Sequence, residues 1–110
     1  MPFIKTSTNI SIDSSKKEIL KDRLGRAISI MGKPESYLML EFDDNREMYF
    51  SGNNAPLAFV DVKVLGNANN TNEMTGEITN ILSQELNIPA NRIYIAYKDY
   101  SDWGYNGSNF

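Results

Sequence analysis

Residues 57–65 read Leu57-Ala58-Phe59-Val60-Asp61-Val62-Lys63-Val64-Leu65. Ala58, Val60, Val62 and Val64 are small or β-branched and wholly apolar. Leu57, Phe59, Asp61, Lys63 and Leu65 alternate with them and are mixed. A period of two is that of a β-strand, whose successive side chains point to opposite faces. A strand this apolar on one side lies central in a sheet and packs on helices. Its mixed side predicts a second sheet face that the chain's own helices leave bare.

Working outward, residues 66–72 form a short Asn-rich loop. The spacing of Met74, Ile78, Ile81, Leu82 and Leu86 predicts a helix over 71–86. Asn87-Ile88-Pro89 ends it. Residues 92–97 alternate again, Ile93, Ile95 and Tyr97 against Tyr94 and Ala96, and predict a strand. On the other side, residues 3–8 read as a short strand. A helix follows, with Leu20, Leu24, Ala27, Ile28 and Met31 on one face. Ser15 and Glu18 have capping-box spacing at its start. Gly32 and Pro34 end it. Residues 37–42 predict a strand, Asp43-Asp44-Asn45 a turn, and residues 47–51 a third short strand. The tail, 99–110, has room for one last short strand near 103–105.

The order strand, helix, strand recurs in both halves. Each half reads as a βαβ unit with a right-handed crossover. The expected fold is α+β: two pseudo-repeated βαβ units forming one four-stranded mixed sheet, both helices on one face, with short edge strands in addition. At 110 residues, one domain spanning 1–110 is expected. The bare face and the sheet edges point to an oligomer.

Composition narrows the chemistry. The chain has no histidine and no cysteine. Ser-His-Asp and Cys-His nucleophilic catalysis are excluded, with His/Cys zinc sites and disulfides. No cofactor is called for. Net charge is −3 with no basic run, which argues against nucleic acid as partner. No apolar run approaches membrane-spanning length, and residues 3–8 are too polar for a signal peptide. A soluble cytoplasmic protein is the expectation.

Carboxylates, lysines, tyrosines and the terminal amine remain. Met1-Pro2-Phe3 opens the chain. Pro2 is small, of the kind that methionine aminopeptidases unmask, and this would leave a secondary amine. An α-amino group titrates at about 7.7–8.0. Burial and a nearby cation both lower that value, so a terminal proline beside a lysine can act as a general base at pH 7. Two residues alone carry little specificity. Many chains begin Met-Pro with no such role.

Further residues complete a pattern. Pro2, Gly32-Lys33-Pro34, Tyr37, Phe50-Ser51-Gly52, residues 61–66, Asn91-Arg92-Ile93-Tyr94-Ile95 and the tail Trp103-Gly104-Tyr105-Asn106-Gly107-Ser108-Asn109-Phe110 together resemble the macrophage migration inhibitory factor family of the tautomerase superfamily. The resemblance covers essentially the whole chain in order and length. It implies a homotrimer with an active site at each subunit interface. It implies Pro2 as catalytic base, and Lys33 as the lysine that holds substrate anions and depresses the proline pKa. Leu65 corresponds to a residue whose backbone N–H faces the pocket. Tyr94 corresponds to a tyrosine lent by the neighbouring subunit. Tyr37 and Phe110 correspond to aromatic walls, and Tyr105 stands where the family often has tryptophan. Taken singly, Lys33 also reads as a helix C-terminal lysine answering the dipole, and Tyr94 as half-buried strand packing.

Two departures matter. Ala96 stands where the mammalian member has asparagine, which removes one polar contact to substrate. Leu57-Ala58-Phe59-Val60 stands where that member has Cys-x-x-Cys, so thiol redox chemistry is excluded. The implied activity is keto–enol tautomerisation of a small aromatic keto acid, phenylpyruvate or dopachrome in type. The alternative is a cytokine-like ligand of a cell-surface receptor, exported without a signal peptide, with a vestigial pocket. A ferredoxin-like RNA-binding module is disfavoured by the acidic balance and the lack of a basic-aromatic sheet motif.

Overall fold

The alternating stretch forms a strand that sits inside a four-stranded sheet. In the computed structural model, which describes residues 1–110, the elements run β1 (Pro2–Thr8), α1 (Ser14–Ala27), β2 (Met39–Asp43), β3 (Ala58–Leu65), α2 (Thr71–Leu86), β4 (Ile93–Tyr100), β5 (Gly104–Tyr105) and β6 (Ser108–Asn109). The sheet order is β2-β1-β3-β4. The pairs β1–β2 and β3–β4 are parallel, as crossover helices require, and β1–β3 is antiparallel. The expected mixed sheet of two βαβ units is therefore present.

Burial follows the alternation. Ala58, Val60, Val62 and Val64 are buried, while Phe59, Asp61, Lys63 and Leu65 are not. Ile4 of β1 joins the buried set. Both helices lie on that side: Leu20, Leu24, Ile28 and Met31 meet Met74, Ile78, Ile81 and Leu82 over it in one core. Each fully buried Leu or Ile contributes about 1.5–3 kcal/mol. The helices are also joined at their rim, where Arg23 and Lys16 reach Glu85 at 3.0 and 3.2 Å. The opposite face is bare. Met39, Phe59 and Tyr94 lie on it at 66%, 39% and 59% exposure, far more than a buried core residue keeps. No helix is long and apolar enough to cross a membrane.

Four local readings are corrected. The α1 cap is Asp13, not the Ser15/Glu18 box. The helix begins two residues earlier, and the Asp13 carboxylate accepts from the Lys16 N–H at 2.8 Å, with Ser15 Oγ donating to it at 3.0 Å. Glu18 instead pairs with Lys21. Tyr37 does not open a strand. Glu35–Tyr37 is a 3-10 turn started by Pro34, and β2 begins at Met39.

Residues 47–51 are not a strand either. Only an isolated Phe50–Asn53 bridge forms, around Ser51 and Gly52 at φ 53° and 80°. The carbonyls of Phe50, Asn53, Ala55 and Pro56 all accept from the Arg92 guanidinium at 3.0–3.3 Å. A side chain thus takes the place of a strand partner. Finally, the tail is a hairpin. Tyr105 pairs with Ser108 across Asn106-Gly107, both at positive φ, the dipeptide that a two-residue turn demands.

The cap assignment is testable. Asp13→Ala removes the N-cap acceptor and lowers the melting temperature. Glu18→Ala, which leaves the cap intact, changes it much less. Equal losses in thermal denaturation would restore the capping box.

Candidate active site

The first residues are held by the sheet. Pro2 starts β1, where a missing N–H costs no ladder bond, and stands opposite Val64. The Leu65 N–H donates to the Met1 carbonyl at 3.0 Å. The Leu65 carbonyl accepts from Lys33 Nζ at 2.9 Å. Lys33 lies just past Gly32, whose φ of 72° turns the chain after the first helix. One residue of β3 thereby ties the amino terminus and the lysine to the same strand end.

This arrangement has an electrostatic result. The terminal amine, here that of Met1, titrates below the usual α-amino range. Partial burial is the larger cause and the Lys33 ammonium the second. Both disfavour the protonated form. An amine so placed is a base at lower pH than a free one.

Beside it opens a cavity of about 490 Å³, within the range of small-molecule sites. Met1, Pro2 and Phe3 form one side. Tyr37, Leu38 and Met39 come from the turn before β2 and its first residue. Trp103, Gly104 and Tyr105 come from the tail hairpin, and Ser36 and Lys63 complete the lining. Tyr37 meets Tyr105 edge-on at 5.6 Å, and Phe110 stacks on Tyr105 at 6.0 Å. The Phe110 N–H donates to the Trp103 carbonyl at 3.0 Å. Phe110 itself is an exposed outer layer.

Of the residues singled out by sequence, Pro2, Tyr37 and Tyr105 line one cavity, with Phe110 stacked behind. Lys33 and Leu65 meet each other at the amine and are not among the lining residues. The Leu65 N–H is engaged by Met1. Tyr94 is elsewhere. It lies five residues before Asp99, the partner of Val64, and so about 16 Å along β4 from the Pro2 end. It packs edge-on against Phe50 at 5.1 Å, on the bare face. One protomer does not bring Tyr94 to Pro2. Sequence reasoning missed Lys63 and Trp103 as cavity residues. The alternation had placed Lys63 on the bare face, and only the folding back of the tail turned that stretch of face into a wall.

Lys33→Ala should raise the amine pKa only partway to the ordinary value, because burial, the larger cause, remains. An NMR titration of the terminal residue reads this directly. An unmoved pKa would leave burial as the whole cause.

The whole chain, residues 1–110, matches the family described as macrophage migration inhibitory factor (MIF). It is 32% identical over 114 residues to a macrophage migration inhibitory factor homolog of Trichuris trichiura, covering 100% of both chains. It is also 32% identical to macrophage migration inhibitory factor of Xenopus laevis, covering 100% of this chain and 99% of the other. Among solved structures, Leishmania major MIF2 superposes with a TM-score of 0.93 at 35% identity, over 100% of this chain and 97% of that one. The homologue from Prochlorococcus marinus superposes with a TM-score of 0.89 at 32% identity, over 98% of each.

Proposed function

The chain belongs to the macrophage migration inhibitory factor family of the tautomerase superfamily, and on that premise we propose that it is a keto–enol tautomerase whose base is the amine of Pro2. The observation that carries this reading is the terminal amine. In this structure it is the Met1 amine, whose pKa burial and Lys33 lower at the start of β1 beside an apolar, aromatic-walled cavity; a Pro2 amine freed at the same strand end would meet the same two influences.

In the proposed reaction Met1 is absent, so that Pro2 carries a free secondary amine. Removing Met1 also removes the carbonyl that engages the Leu65 N–H, which then faces the substrate. Neutral Pro2 takes a proton from the carbon next to the ketone. The C–H electron pair becomes the enol double bond, and the protonated amine returns the proton at another position of the same molecule. Nothing is consumed, so no cofactor enters. Lys33 holds the carboxylate of a small aromatic keto acid, phenylpyruvate or dopachrome in type. Tyr37, Tyr105 and Phe110 receive the ring. With Ala96 on β4, that strand offers substrate no amide side chain, and binding there rests on shape and on Tyr94.

Tyr94 enters from a neighbouring subunit of a homotrimer. The bare sheet face, with Met39, Phe59 and Tyr94 exposed on it, is the surface that assembly would cover. A second reading, a cytokine-like ligand of a cell-surface receptor that leaves the cytoplasm without a signal peptide, draws on the names of the relatives. It uses the outer surface of the same fold. Neither reading calls for nucleic acid or membrane insertion.

Two measurements test the enzyme. Pro2→Gly keeps an amine but loses the rigid secondary one, and should cost roughly 10²–10⁴-fold in kcat/KM for phenylpyruvate by ultraviolet assay. Full activity in that variant would end the mechanism. Light scattering should report a trimer at micromolar concentration, whereas a monomer would remove Tyr94 from the site.

A further inference from the structure

Lys63 is the one charged side chain among the cavity's lining residues. It stands on the bare face in a single row with Phe3 and Met39, because Phe3 pairs with Met39 on one side and with Lys63 on the other. All three line the cavity. The Lys63 ammonium lies 5.8 Å from the centroid of the Phe3 ring, over the cavity floor. Its carboxylate partner, Asp61, is loosely placed, at 3.9 Å with both side chains more than a third exposed. Such pairs are worth about 0–1 kcal/mol, so the ammonium is free to turn to a better anion.

Lys33 contrasts with it. Its ammonium is engaged by the Leu65 carbonyl at the end of β3, near the terminal amine. Leu65 is two residues on from Lys63, about 7 Å along the strand. Two cations therefore flank the strand end, one at the amine and one over the floor. Of the two, only Lys63 lines the cavity; a flat ligand whose first carboxylate drew the Lys33 ammonium away from Leu65 would have Lys63 for a second anionic group across the ring. A ligand with a single carboxylate would leave one unanswered.

We propose that Lys63 is an anion-binding, specificity-determining residue of this cavity, and that the cavity prefers aromatic acids with a second carboxylate on the ring. The preference for two carboxylates rests on the tautomerase reading, which gives the first to Lys33; anion binding by Lys63 itself stands on the cavity geometry alone. Trp103, the only tryptophan, lines the same cavity and reports occupancy by its fluorescence.

The experiment is a fluorescence titration of the purified protein with benzoate and with terephthalate. Terephthalate should bind about tenfold tighter, the size of one charge-assisted hydrogen bond. Lys63→Gln should erase the difference and Lys63→Arg should keep it. Asp61→Asn, which removes the competing carboxylate, should tighten terephthalate further. Equal binding of the two acids, a preference that survives Lys63→Gln, or no binding of either overturns the proposal. A parallel assay compares kcat/KM for phenylpyruvate and its para-carboxylate, the preference being expected in KM. Turnover of neither, with the terephthalate preference intact, would reject the tautomerase reading and keep the Lys63 site.

Discussion

The antiparallel pairing of β1 with β3 is the contact on which the rest depends. Each half of the chain can close a βαβ unit by itself, but neither unit buries both sides of its helix. Pairing Pro2–Thr8 with Ala58–Leu65 joins the halves, sets both helices on one face and completes one core. The same register sets Pro2 opposite Val64. That puts the chain's first amine within reach of Leu65, and through its carbonyl, of Lys33. A slip of one residue would turn Ile4 out of the core and Phe3 into it, because side chains alternate strictly along a strand. The core thus enforces the position of the amine.

The one-sided burial of this sheet has a second consequence. Helices satisfy one face. The other keeps charges in loosely held pairs, Lys5 with Glu41 and Asp43, and Lys63 with Asp61. Large apolar side chains stand among them. Such a face suits neither a dry core nor a fully solvated surface. It suits an assembly in which part of it is covered and part lines a wet cavity. The cavity at the Pro2 end is the part that the chain closes for itself, with its tail hairpin. Tyr94, at the far end of the same face, is available only to another molecule.

Arg92 shows how a loop can be organised without a strand. Four backbone carbonyls of residues 50–56 accept from its guanidinium, which also lies over the Phe50 ring at 5.3 Å. Phe50 in turn packs on Tyr94. The cation and the two aromatic rings set where that tyrosine stands on the bare face.

Most of the fold was legible in the sequence. The period of two in residues 57–65, the helical stripes ending at Gly32 and Asn87, and the strand-helix-strand repeat determined the sheet, the helices and which face each would bury. These are local signals, written by side chains within a few positions of one another. The resemblance of Pro2, Lys33, Tyr37 and the tail pointed to the residues to watch. Tertiary structure decided what local pattern does not encode. Residues 47–51 alternate well enough for a strand, yet no sheet edge reaches them, and Arg92, 42 positions on from Phe50, takes the carbonyl of Phe50 and those of Asn53, Ala55 and Pro56 after it. Lys63 read as one more polar residue on an open face until the tail folded back to roof it. The lowered amine pKa needs Met1, Leu65 and Lys33 in one place, and only the β1–β3 register puts them there. Burial and proximity across the chain are properties of the packed molecule, because they depend on distances that no stretch of sequence contains.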